Sequence, residues 1–205
     1  MQSNIYILML ASVIFQGTIA PQVKTIRNRN DAEMVITGTH TKVFGKNNLI
    51  TSRITPAESN EWYVMLSNVK EFVDKTAKDK SLTSGKWSAY ETILDLSNKT
   101  INTLKTIFNS QIAPALKNPA DKNEGISNYD PNKLDRTKLD LNVIRKLVNE
   151  LQLFKAVLVK LQNDLKQTKA KKSKAVQDAH DIFSRLALTL EVTIDKISTD
   201  LNKIR

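Results

Sequence analysis

The chain has 205 residues, no cysteine, two histidines and a formal charge of +10. The missing cysteines exclude a disulfide framework, iron–sulfur clusters, thiolate zinc sites and cysteine nucleophiles, and His40 and His180 are too few for a multi-histidine metal centre. Five glycines and five prolines in the whole chain suit helices rather than a β-sandwich, and the length suffices to bury one core without staples.

Residues 1–20 carry no charged side chain, and Ile5 to Phe15 is almost wholly apolar. Followed by small residues at Thr18-Ile19-Ala20, this predicts a signal peptide and a secreted, extracellular protein. The run is short for a transmembrane helix, so the mature chain is expected not to span a membrane. Residues 21–54 show no sustained period. They carry Lys24, Arg27, Arg29, Lys42, Lys46 and Arg53 against Asp31 and Glu33, and are predicted to be an irregular basic arm.

Residues 55–205 are predicted to be an all-α domain. Thr55-Pro56-Ala57-Glu58 combines a capping threonine, a proline at the first helical position and a glutamate that completes a capping box. A helix over 56–77 follows, with Trp62, Met65, Leu66, Val69 and Val73 on one face. A second helix, over 86–113, is drawn by Trp87, Tyr90, Leu94, Ile101, Leu104 and Phe108. Within it, Asn98-Lys99-Thr100 has the form of a glycosylation sequon, making Asn98 a possible acceptor. Pro114, Pro119 and Gly125 mark a linker.

Asp130-Pro131 supplies a cap for a third helix, over 131–168. Its centre, Leu151 to Leu161, is apolar on more than one side, which predicts the helix most surrounded by others. A lipid-facing role is the functional alternative. Phe183, Ala187, Leu190, Ile194, Ile197, Leu201 and Ile204 define a fourth helix over 174–204. Carrying the third helix's stripe onward lands on Thr168, Lys172 and Ala175, so a turn is expected near Lys169–Ser173. The fold class is therefore an antiparallel up-down-up-down four-helix bundle with a basic N-terminal arm.

Enzyme signatures are absent: there is no Walker loop, dinucleotide fingerprint, nucleophile elbow or HExxH pair. Ser67-Asn68-Val69-Lys70 matches SxxK without a partner motif. Asp178, His180 and Asp181 cluster near one helix start, but nothing else in the sequence completes a site. No catalytic, cofactor-binding or metal-binding residue is expected, and no cofactor.

Charge placement says more. Residues 131–205 hold sixteen Lys/Arg against nine Asp/Glu, whereas residues 58–130 hold nine Lys against ten acids. In the expected bundle, Lys75, Lys78, Lys80 and Lys86 at the first turn lie at the same end as Lys166, Lys169, Lys171, Lys172 and Lys174 at the third. Such an end would attract a glycosaminoglycan, acidic lipid or acidic protein, with nucleic acid disfavoured by secretion and by the lack of interleaved aromatics. The cysteine-free set of amphipathic helices over residues 55–205 also resembles the exchangeable insect apolipoproteins in architecture, which implies a lipid carrier. An oligomeric coiled-coil protein is the third expectation, and the sequence leaves the oligomeric state open.

Overall fold

The computed structural model describes residues 25–45, 54–76, 84–116, 134–167 and 173–204. Among these the protein is all-helical, with five helices. They are α1 (Arg29–Phe44), α2 (Pro56–Thr76), α3 (Ser84–Ile107), α4 (Leu141–Gln167) and α5 (Lys174–Ile204).

The first helix corrects the expectation of an irregular arm. Asn28 caps it, with Oδ1 accepting from the Asp31 amide, and Asp31 Oδ2 accepts from the Arg27 amide in return. Ala32, Ile36, Val43 and Phe44 are buried on one face, and His40 occupies the interior-facing position between them. That histidine, with the run Thr37-Gly38-Thr39, hides the apolar period.

In α2 the capping box forms as expected. The Glu58 amide donates to Thr55 Oγ1 at 3.2 Å, and the Thr55 amide donates to Glu58 Oε2 at 2.8 Å. Trp62, Met65, Leu66, Val69 and Val73 are all buried.

Helix α3 buries Ser97, Thr100 and Thr103 inside its apolar face, and the first two hydroxyls donate to the carbonyls of Ile93 and Leu96. It ends through a π-helical turn, Phe108–Ile112, and a short continuation, Ala113–Ala115. Pro114 has no N–H for a carbonyl one α-turn back, and the wider turn, with the Ala113 amide on the Phe108 carbonyl, accommodates it. The turn aims the buried Gln111 so that its Oε1 accepts from the Asp140 amide at 2.9 Å.

Helix α4 starts ten residues later than the sequence suggests. Asp140 is the functional cap, its Oδ1 accepting from the amides of Asn142 and Val143; the expected cap, Asp130-Pro131, lies outside the described residues. A 3-10 turn, Arg136–Lys138, and a bridge between Leu116 and Leu134 precede α4.

Helices α4 and α5 lie antiparallel, as the stripe break predicts. Gln152 Nε2 donates to Ser198 Oγ, Lys155 pairs with Asp195, and Gln162 Nε2 donates to the Ser184 carbonyl, so partners descend along α5 as α4 ascends. Helix α1 runs beside α5 in the same direction, tied by Arg29 to Asp181 and by His40 to Thr193. One core cluster joins all five helices.

The most enclosed helix is α5, where α4 was expected. Fourteen of its 31 residues are buried, against six of 27 in α4. The apolar surplus of α4 instead faces outward: Leu153 is 68% exposed and Val157 41% exposed.

Candidate functional site

The lysine-bearing end is positioned by an aromatic contact in the core. Tyr90, near the start of α3, stacks on Phe183 of α5 at 4.3 Å between ring centroids and 12° between planes. Its hydroxyl is 2.5 Å from His180 Nδ1, and both residues are fully buried. Burial drives the Tyr90 phenol well above its ordinary value, so it stays protonated. The contact fixes the starts of α3 and α5 at the same end of the molecule.

Lys166 lies in the last turn of α4 and Lys174 is the first residue of α5; both are exposed. Lys86 belongs to the first turn of α3. Lys78, Lys80, Lys169, Lys171 and Lys172 lie outside the described residues. Lys75, in the last turn of α2, is bound to Glu71 by an ion pair at 2.5 Å, so part of its charge is already compensated. Arg27, just before α1, is exposed, and the Arg29–Asp181 contact brings it to the same end.

Of the three residues near the start of α5, His180 parts from its two acidic neighbours. His180 turns into the core onto Tyr90, whereas Asp181 faces α1 and holds Arg29 at 2.7 Å. Arg29 also bonds Glu33, and that hydrogen bond, then the charges of Asp181, Glu33 and Asp178, raises its already high pKa. The SxxK serine, Ser67, and Lys70 are exposed on α2, where Lys70 bridges Asp74. Among the described residues, no group of three or more His, Cys, Asp or Glu could hold a metal ion. No described helix is long and apolar enough to cross a membrane.

Asn98 sits mid-helix and half-buried in α3, its Oδ1 buried without a hydrogen-bond partner. Thr100, the third sequon residue, is fully buried with its hydroxyl engaged by Leu96. In the folded helix the sequon's threonine is therefore turned inward, with Asn98 half-buried and Lys99 exposed.

Sequence reasoning passed over His40. Its Nε2 lies 2.7 Å from Thr193 Oγ1, and the Thr193 hydroxyl donates to the Thr189 carbonyl. The threonine oxygen is thus an acceptor, which makes Nε2 the protonated nitrogen of a neutral ring. Burial first, then Lys196 and Arg185, depress this imidazole to about 4.

No protein-family model matches this sequence, and no curated protein or solved structure matches it either.

Proposed function

We propose that this is a secreted, non-enzymatic helical protein that engages an anionic extracellular partner through its lysine-bearing end. In this reading α2 to α5 form an up-down-up-down bundle, with α1 laid against α5. The pairing of Tyr90 with His180 carries the reading. It supports the gathering of the α3 and α5 starts, and with them Lys86 and Lys174, at one end, where Lys166 closes α4. Several cations on one end raise the local potential enough to steer and hold a polyanion, where scattered ones would not. The non-enzymatic part rests on His180 turning away from Asp178 and Asp181 into the core, where it is fully buried.

Heparin retention as a function of salt tests the proposal. Replacing Lys169, Lys171, Lys172 and Lys174 together by Gln should lower both the retention and its salt slope, since fewer counterions are released. An unchanged slope would refute the assignment.

A further inference from the structure

Helix α4 carries two stripes. Ile144, Val148, Leu151, Leu158 and Leu165 face the core. On the opposite side lie Lys146, Glu150, Leu153, Val157, Lys160 and Asp164, all exposed. Their spacing is four, three, four, three, four, a heptad seam that stays in line along a neighbouring helix over about 27 Å.

The order of charges along this seam is +, −, apolar, apolar, +, −. Set antiparallel against itself about an axis level with Lys155, the four central members meet their complements. Glu150 faces Lys160 of the partner subunit, and Leu153 faces Val157 of the partner subunit. Two-fold symmetry repeats every contact, giving two ion pairs around a four-residue apolar centre. Beside the seam, the half-buried Phe154 comes level with the exposed, small Ala156 of the second copy. A parallel arrangement would put each charge against its own copy.

We infer that the outer face of α4 is a self-association surface, and that its occupant is α4 of a second copy in antiparallel register. The seam's own charge decides between this and an anionic lipid surface. Although α4 has five basic and two acidic residues, the centre of its outer seam is balanced, Glu150 against Lys160, because Lys155 is bound to Asp195 on the other side and Arg145 and Lys166 lie off the line. Glu150 beside the apolar pair would repel an anionic membrane, whereas alternation of three and four keeps the seam in line with a second helix. The solvated apolar pair is small, so the dimer is weak and forms with rising concentration.

Sedimentation velocity of the full chain tests this, with far-UV circular dichroism confirming that each variant keeps its helices. The natural chain should show a monomer–dimer equilibrium in the submillimolar range. Lys160→Glu or Glu150→Lys alone should weaken it at least about tenfold, since symmetry counts each like-charge contact twice. Mixing the two single variants should restore association as a heterodimer, because each then meets its complement. The double variant Glu150→Lys/Lys160→Glu should regain the homodimer. A monomer throughout, or a dimer indifferent to these exchanges, would overturn the inference. So would a monomer that binds anionic vesicles through Leu153.

Discussion

Helices α4 and α5 are similar in length and lie against each other along their course, yet their surroundings differ. Both are rich in leucine, isoleucine and valine. Helix α5 has α1, α3 and α4 around it and shows Leu188 and Val192 as its large exposed apolar residues, at 41% and 59%. Among the described residues, helix α4 packs mainly on α3 and α5 and leaves half its circumference to water. Apolar content therefore does not rank helices by enclosure; the number of neighbours does. A surplus of apolar residues on the less enclosed member points to a surface with its own use.

Truncating the shared core should do the most damage. Phe183→Ala removes the ring that stacks on Tyr90 and should cost about 4 kcal/mol in a denaturant melt. On the inner stripe of α4, Leu151→Ala should cost about 3 kcal/mol, because Leu151 is fully buried despite the helix's open outer side. Equal losses at Leu151 and Leu153 would erase the distinction between the two stripes.

The contrast extends to α1, which is held to α5 partly by His40. Its folded pKa of about 4 lies below the ordinary 6.5, so neutral histidine favours the folded state. That stability is present above about pH 6.5 and is lost as pH falls toward 4. The change should be roughly 2 kcal/mol after allowing for the ring's partial solvent contact, and the pH dependence of unfolding should flatten in His40→Gln.

Smaller effects test the exposed surfaces. A Cβ added at Gly38 meets no atom within 4 Å, so Gly38→Ala should stabilise α1 by about 0.7 kcal/mol. Leu153→Ala, measured at concentrations where the chain is monomeric, should change stability by less than about 0.5 kcal/mol.

The legible parts of the fold were those where cap and period agree. Thr55 to Glu58 with the Trp62 face, and the long stripe from Phe183 to Ile204, announced α2 and α5. Helix α1 escaped because His40 takes a place that an aliphatic residue would have marked, although Asn28 and Asp31 carried the cap signal. Asp130-Pro131 drew the start of α4 too early; the Asp140 cap is backed by Gln111, which lies 29 residues away and leaves no local pattern. At the candidate site, Lys166 falls in the last turn of α4 and Lys174 at the first residue of α5. That Lys75 is paired to Glu71, and that His180 leaves its acidic neighbours for Tyr90, depended on side-chain direction. Local spacing does not encode that.

The clasp at the end of α3 has a consequence for chain topology. The Asp135 amide donates to the Ala115 carbonyl at 2.7 Å, Leu116 bridges Leu134, and Gln111 holds Asp140, so the chain leaving α3 and the chain entering α4 are held side by side. The register of α3 against α4 is thereby set at a single point, by contacts among residues 111–116 and 134–140. Breaking one of them, as in Gln111→Ala, loosens the start of α4 as well as the end of α3.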